Sequence, residues 1–387
     1  MLCFSYHRAV AAITLLLLAT HALNIFAQSN IERIDLPQLR RHHVLVVAPD
    51  ASFAITRRSP DSLSRLDLTT GAISDLPTKL PSRFRHVAVI PGSDLIACVD
   101  ESRHSVILVD TKHAKGVDVI PLPESSVTVH ASRVVKKLEN ANPRLDRQLL
   151  CGVTATGLWV SRTGTTLAIA FGSDLVVVDV PSKSASTLPP LAMGGLILQV
   201  AFSSDCSAMV FSAEGGLRGM AIVDLTTHDR IFDIDGFELQ RRRIPATAGS
   251  FYSSQHMVCI KIAWSSDDAV IAGIVGDHSG QSLHFWNGTT GDLLRVWSRP
   301  ETTFDTLEIS PDGSQCLTVA ETWDQEKLVE REVVLIETKT GAEVTTIQLP
   351  LSQLEAKASG HGRIYLYNGL DTAFSVSARG ESVKERQ

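Results

Sequence analysis

The sequence predicts an all-β fold: a single β-propeller of seven four-stranded blades, closed by pairing of the N- and C-terminal segments. Three observations predict it: a strand-turn-strand phrase that recurs along the chain, a spacing of the copies that suits one blade each, and strand-like segments at both ends. The chain has 387 residues, of which 44% are hydrophobic, so it can bury a substantial core. This composition excludes a disordered or collagen-like protein.

Each copy of the phrase consists of an apolar strand, a tight polar turn, a second apolar strand, a variable loop, and a third strand that ends in Asp or Asn before a Thr/Gly turn. In the first copy, residues 44–48 and 53–56 flank a turn at residues 49–52, and the third strand ends around Asp67. Pro presets the backbone angle of such turns, Asp accepts hydrogen bonds from neighbouring amides, and Gly tolerates positive φ. Strong β-formers flank these turns, so the phrase predicts hairpins.

The turn between the first two strands marks each copy. Successive markers are separated by 42, 71, 42, 62, 45 and 49 residues, and four of these six intervals match the ~40–50 residues of one blade. The two long intervals coincide with residues 124–154 and 236–255, which we interpret as insertions. The markers lie at Asp50, Gly92, Thr163, Asp205, Asp267, Asp312 and His361.

The chain ends indicate how the ring closes. Residues 31–37 resemble the last strands of other copies, at residues 119–123 and 347–350, whereas the final copy, residues 362–383, lacks such a strand. We therefore expect the N-terminal segment to complete the last blade and to pair an otherwise open sheet edge.

Several of these motifs carry a resemblance to a known family. The turn Ser310-Pro311-Asp312-Gly313 and the third-strand endings resemble the WD-repeat family and related bacterial β-propellers, with degenerate repeats. The resemblance implies a ring that serves as an interaction platform and does not imply a reaction. The endings in question are Leu66-Asp67-Leu68, Val109-Asp110, Val178-Asp179, Val223-Asp224 and Phe285-Trp286-Asn287.

Residues 1–27 have the pattern of a secretory signal peptide: a basic Arg8, an apolar run over residues 9–19 and a small Ala27 at the exit. Residues 28–387 would then form a propeller domain that is secreted or periplasmic. The alternative is a retained membrane anchor, because residues 9–26 approach the length of a bilayer span.

The charge and the cysteines limit the partners and cofactors. Loss of residues 1–27 removes Arg8 and no acidic residue, so the net charge moves from −6 to −7, which argues against a general nucleic-acid binder. The five remaining cysteines form no CxxC or Cys/His metal spacing and are interpreted as small buried residues. We expect no cofactor, no metal and a monomer.

In a propeller, the connections between blades and between the second and third strands emerge on one face, here called the loop face; it includes residues 124–154 and 236–255. The opposite face, here called the turn face, carries tight turns such as residues 310–313. Residues 130–150 have a local charge of +3 and residues 236–255 of +2, which favours an anionic polymer or an acidic protein as partner; the alternative is ordinary solvated loops. The candidate binding residues on the loop face are Arg241, Arg242, Arg243, Lys136, Lys137, Trp323, Asp277, His278 and His104.

Catalysis is the alternative function. A propeller hydrolase or lactonase would need acidic and His residues that converge at the central channel, for example His104 and His278 with Asp100, Asp277 and Glu321. These residues share no metal-ligand spacing, and we assign no catalytic or metal-binding residue. A channel lined by small or apolar side chains would favour the platform, and carboxylates and histidines from several blades would favour the enzyme.

Overall fold

The structure, a computed structural model, describes residues 31–35, 43–50, 52–59, 62–76, 86–100, 104–123, 155–188, 196–214, 219–234, 258–277, 280–324, 327–349, 355–358, 363–367 and 372–377. The regular elements in these ranges are all β-strands. Among the described residues, no helix has the length and apolar character needed to cross a membrane.

Six antiparallel sheets are each formed by four consecutive strands, numbered here as blades 1 to 6, with the strands of each blade given from the inside of the ring outwards. Blade 1 contains β2 (His43–Val47), β3 (Phe53–Ser59), β4 (Ser62–Asp67) and β5 (Ile73–Asp75). Blade 2 contains β6 (Val87–Val89), β7 (Leu95–Asp100), β8 (Ser105–Asp110) and β9 (Lys115–Pro121). Blade 3 contains β10 (Gly157–Val160), β11 (Thr166–Phe171), β12 (Asp174–Asp179) and β13 (Ser184–Thr187).

The second half of the chain repeats this order. Blade 4 contains β14 (Leu196–Phe202), β15 (Ala208–Glu214), β16 (Gly219–Asp224) and β17 (Arg230–Ile234). Blade 5 contains β18 (Val258–Trp264), β19 (Val270–Asp277), β20 (Gly280–Asn287) and β21 (Leu293–Trp297). Blade 6 contains β22 (Thr302–Ile309), β23 (Gln315–Asp324), β24 (Lys327–Glu337) and β25 (Glu343–Gln348).

The remaining four strands combine both ends of the described chain in one sheet, here called the terminal sheet. Its order is β26 (Glu355–Ala358), β27 (Arg363–Tyr367), β28 (Thr372–Ser377) and β1 (Ile31–Asp35). β1 pairs antiparallel with β28, with Ile31 opposite Val376 and Asp35 opposite Thr372. β26 lies against the inner strands β22 and β2, so this sheet sits between blades 6 and 1.

The structure corrects the prediction of seven equivalent blades to six complete blades, each continuous in sequence, plus the terminal sheet. The physical reason is that the copy around His361 has no fourth strand of its own, so β1 from the other end of the chain completes its sheet. Ile364 and the partly buried Ala356 of the terminal sheet pack against blade 6.

The core lies between the blades, where their faces pack against one another. β11 shows how a strand serves two such layers, because successive side chains of a strand point to opposite faces. Leu167, Ile169 and Phe171 pack with blade 2, whereas Ala168 and Ala170 pack with blade 4. Because it is buried on both faces, β11 is apolar from Leu167 to Phe171.

The turns between the first and second strands of blades 4 to 6 share a Ser-x-Asp hydrogen-bond pattern. In blade 4, Ser203 Oγ donates to Asp205 Oδ1 (2.8 Å) and accepts a bond from the amide of Ala208 (2.9 Å). Ser265 and Ser310 repeat both bonds in blades 5 and 6. These side chains satisfy backbone groups that a tight turn leaves unpaired, and the pairing of the flanking strands confirms the predicted hairpins.

In blades 1 to 5 the third strand ends in Asp or Asn, and this side chain stabilises the turn to the fourth strand. Asp67 Oδ1 accepts bonds from the amides of Thr70 (2.7 Å) and Thr69 (2.9 Å). The bond from the Thr70 amide is the main reason that the pKa of Asp67 is lowered, because it stabilises the ionised carboxylate. Asp224 and Asn287 accept the corresponding pairs of bonds in blades 4 and 5.

The described cysteines differ in burial, and this predicts their reactivity. Cys98, Cys259 and Cys316 are free and buried, and burial raises the pKa of Cys98 to about 12. The free Cys206 is partly exposed in a turn.

We expect a water-soluble maleimide to modify Cys206 at least about a hundredfold faster than the three buried cysteines, because the thiolate is the reacting form and burial disfavours it. Peptide mass spectrometry over time measures this, with the urea-unfolded chain as control; equal rates in the folded protein would contradict the assigned burial.

Candidate functional site

The inner strands of all six blades surround a cavity of about 340 Å³ in the central channel. It lies towards the turn face, because its walls include the ends of these strands and the first residues of the following turns. The walls are mainly apolar and contain the aromatic side chains of Trp159, Phe202 and Trp264. The other lining residues are Val46, Val47, Pro49, Ala88, Val89, Pro91, Leu158, Val160, Ser161, Arg162, Val200, Ala201, Ile262, Ala263, Leu307, Glu308 and Ile309.

Only two of these lining residues carry a charge, Arg162 from blade 3 and Glu308 from blade 6. Arg162 follows β10, and its Nη2 lies 3.4 Å from the carbonyl oxygen of Trp264 in blade 5, so this side chain reaches across the channel mouth. Glu308 is 4% exposed. Ring closure therefore brings together two opposite charges that are far apart in sequence.

The electrostatic surroundings of Arg162 are acidic. Burial lowers the pKa of Arg162. The carboxylates of Glu308, Asp268 and Asp267 act in the opposite direction, because they stabilise the charged guanidinium. An arginine remains protonated in such surroundings, so the channel mouth holds a fixed positive charge among carboxylates.

Contacts between neighbouring blades hold this mouth in place. Asp268 in blade 5 accepts bonds from the amide and the hydroxyl of Ser204 in blade 4, at 2.7 and 2.5 Å. The amide of Ser266 donates to the carbonyl oxygen of Pro311 in blade 6 (2.9 Å). The turns around the cavity are thus linked from blade 4 to blade 6.

The strands that precede both insertions end at the loop face. β9 of blade 2 ends at Pro121 before the first insertion, and β17 of blade 4 ends at Ile234 before the second. Each insertion therefore leads from the outer strand of one blade to the inner strand of the next, and such connections emerge on one side of a ring. The candidates Lys136, Lys137, Arg241, Arg242 and Arg243 themselves lie outside the described residues.

The remaining candidates belong to three blades, at the loop-face ends of their strands. His104 in blade 2 is partly buried, and its ring centroid lies 6.0 Å from that of Phe171 in blade 3. Trp323 in blade 6 is half-buried, and its Nε1 donates to Thr303 Oγ1 (3.0 Å). Asp277 ends β19 in blade 5, and His278 lies outside the described residues.

The two other described members of the hypothetical catalytic cluster, Asp100 and Glu321, lie within blades 2 and 6. Asp100 is buried at the end of β7. Glu321 in blade 6 pairs with Arg331 of the adjacent strand at 2.7 Å, and burial raises the pKa of Glu321 more than Arg331 lowers it. Within the described part of the chain, no three or more His, Cys, Asp or Glu side chains are arranged to hold a metal ion.

The sequence analysis did not identify Arg162 and Glu308, although both residues differ from those at the same positions in other repeats. Arg162 occupies the turn position held by Ser204, Ser266 and Pro311 in blades 4 to 6. Glu308 occupies the inner-strand position held by alanine in blades 4 and 5. An alignment of the repeats would therefore have shown a long cation and a carboxylate where the other copies have small residues or proline.

Comparisons with known proteins show the fold. No model of a known protein family matches the sequence, and no curated protein matches it. Among solved structures, the chain is similar to hydrazine synthase of Kuenenia stuttgartiensis, with 16% identity, a TM-score of 0.51 and coverage of 76% of this chain and 75% of that chain. It is also similar to the β-propeller domain of Cps50 (Swd1) of Myceliophteria thermophila, with 10% identity, a TM-score of 0.57 and coverage of 90% of this chain and 100% of that domain. At these identities the likeness shows a β-propeller and nothing finer.

Proposed function

We propose that this protein is an exported, non-catalytic β-propeller that binds an anionic partner, an acidic protein or an anionic polymer, through its loop face. The observation that supports the proposal is that β9 and β17, the strands that precede the two basic insertions, both end at the loop face of the ring. In a chain with a net charge of −6, two basic segments on one rigid ring give a local positive field that attracts an anion.

The composition of the channel favours a binding platform over an enzyme. The cavity walls are apolar except for Ser161, Arg162 and Glu308, and a hydrolytic centre would need several converging carboxylates or histidines. Export is proposed from the pattern of residues 1–27, and a WD-repeat-like origin from the third-strand endings and the Ser-Pro-Asp-Gly turn.

Replacement of Arg241, Arg242 and Arg243 together by Gln tests the proposed surface. We expect this variant to leave a heparin column at lower salt than the unchanged protein and to bind about tenfold more weakly at low salt, because three cations near the polyanion are lost. Elution position and affinity measured over a series of NaCl concentrations report both effects.

The matched control removes the same charge from the other side of the ring. Lys112, Lys115 and Lys339 are exposed on the turn face, and their joint replacement by Gln should leave retention nearly unchanged. Equal losses in the two triple variants would indicate a general charge effect, and unchanged retention of the arginine variant would reject the proposed surface.

A further inference from the structure

The turn between the third and fourth strands of blade 5 contains the dipeptide Asn287-Gly288. In such a dipeptide the backbone nitrogen of Gly can attack the side-chain amide of Asn, because Gly has no side chain to hinder the approach. The bond between Gly288 N and Asn287 Cγ forms, the bond between Cγ and Nδ2 breaks, and ammonia leaves with the proton of the attacking nitrogen. The product is a cyclic succinimide, which water opens to aspartate or isoaspartate.

The folded turn opposes this attack, because it holds the peptide group between Asn287 and Gly288 at both of its polar atoms. The amide of Gly288 donates to the carbonyl oxygen of Ala269 (2.9 Å). The carbonyl oxygen of Asn287 accepts a bond from the amide of Gly291 (2.8 Å). Rotation of this peptide group towards the side chain would break both bonds, and the attacking nitrogen would also have to release the proton that it donates to Ala269.

The side chain of Asn287 and the backbone beside it are also held in place. Asn287 Oδ1 accepts bonds from the amides of Thr289 and Thr290, both at 2.9 Å, which fixes the side chain in one rotamer. Gly288 is buried, and a Cβ atom there would lie 2.1 Å from the carbonyl oxygen of Asp268, so the backbone has no free space on that side. Both reacting groups are therefore fixed in the folded protein.

The two products differ in their ability to rebuild this turn. Asp67 and Asp224 occupy the equivalent positions of blades 1 and 4, and each accepts a corresponding pair of amide bonds. An aspartate in place of Asn287 would therefore restore the turn. In isoaspartate the main chain runs through the side-chain carbon, which adds one methylene to the backbone and moves the accepting group into the main chain. The close approach of Asp268 leaves no space for this longer backbone.

We propose that Asn287 is a covalent modification site: the folded protein protects it, opening of the turn in blade 5 exposes it to deamidation, and the isoaspartate product prevents the turn from forming again. Water is the only other reactant. The site lies on the turn face and does not depend on the proposed binding of an anionic partner to the loop face.

Peptide mass spectrometry of the full chain, incubated in mildly alkaline buffer with and without guanidinium chloride, tests the protection. Deamidation of Asn287 adds about 1 Da to its peptide. We expect the reaction to be at least about tenfold slower in the folded protein, because it then requires local opening of the turn. Asn368-Gly369, which lies outside the described residues, is the internal standard and should react as fast as Asn287 in the unfolded chain. Equal rates at Asn287 in the folded and unfolded chain, or no reaction there in the unfolded chain while Asn368 reacts, would overturn the proposal.

Refolding of chains aged in guanidinium chloride tests the effect of isoaspartate. The Asn368→Asp variant removes the asparagine of the second site, and the double variant with Asn287→Asp is the matched control, because aspartate cyclises more slowly than asparagine. The refolded fraction of the single variant should fall at least about tenfold faster with ageing time than that of the double variant. Tryptophan fluorescence reports refolding, because Trp264 Nε1 donates to the carbonyl oxygen of Asp268 beside this turn (3.4 Å). Complete refolding of molecules that carry isoaspartate in place of Asn287 would overturn the proposed effect of the modification.

Discussion

Removal of residues 31–35 is expected to lower the melting temperature by about 10 °C, because the terminal sheet loses its outer strand. The strand contributes five paired residues to β28, and at about 1 kcal/mol for each backbone hydrogen bond the loss is on the order of 5 kcal/mol. The newly open edge of β28 also provides a template for pairing with other chains, so the variant should aggregate more readily. Calorimetry and light scattering measure the two effects.

Single proline substitutions provide the control for this deletion. In an edge strand, alternate amides point towards the neighbouring strand, and proline is tolerated only where the amide points away. Proline placed separately at Glu32, Arg33 and Ile34 should therefore destabilise the protein in an alternating pattern. A neutral deletion, or three equal proline effects, would show that β1 does not contribute to stability through its pairing with β28.

Gly288→Ala should cost about 3 kcal/mol in the free energy of unfolding, a large effect for the addition of one methyl group. A Cβ atom at this position would lie 2.1 Å from the carbonyl oxygen of Asp268 and 2.7 Å from Nε1 of Trp264. The first neighbour is backbone and cannot move alone, so the turn that binds Ser204 through the Asp268 side chain would shift with it.

Gly116→Ala is the matched control, because a Cβ atom there meets no other atom within 4 Å. Its free energy of unfolding should stay within about 0.5 kcal/mol of the unchanged protein in urea denaturation. Similar losses of unfolding free energy in both variants would mean that the close approach of Asp268 to Gly288 is not the cause of the destabilisation.

The sequence predicted those parts of the fold that depend on local chemistry. Ser310 donates a hydrogen bond to Asp312 within a single turn, and Asp67 accepts bonds from the amides two and three residues later. All the partners are close in sequence, so the sequence alone is enough to identify them.

Features that depend on the ring were harder to predict. The number of complete blades depends on whether the weak copy around His361 forms a blade by itself, which its local sequence does not decide. Arg162 and Glu308 line the same cavity only because blades 3 and 6 face the same channel, and neither lies in a recognised motif. His104 and Glu321, which the alternative catalytic grouping would need together, contact Phe171 and Arg331 respectively.

The direction of β1 has a practical consequence for immobilising the molecule. Ile31 lies opposite Val376, at the turn-face end of the terminal sheet, and the strand then runs towards the other side of the ring. A tether joined ahead of Ile31 would therefore hold the molecule by its turn face. On a sensor chip the opposite face, where β9 and β17 end, would then point into the flowing sample. Attachment through Lys112 or Lys339 would give the same orientation without involving the strand.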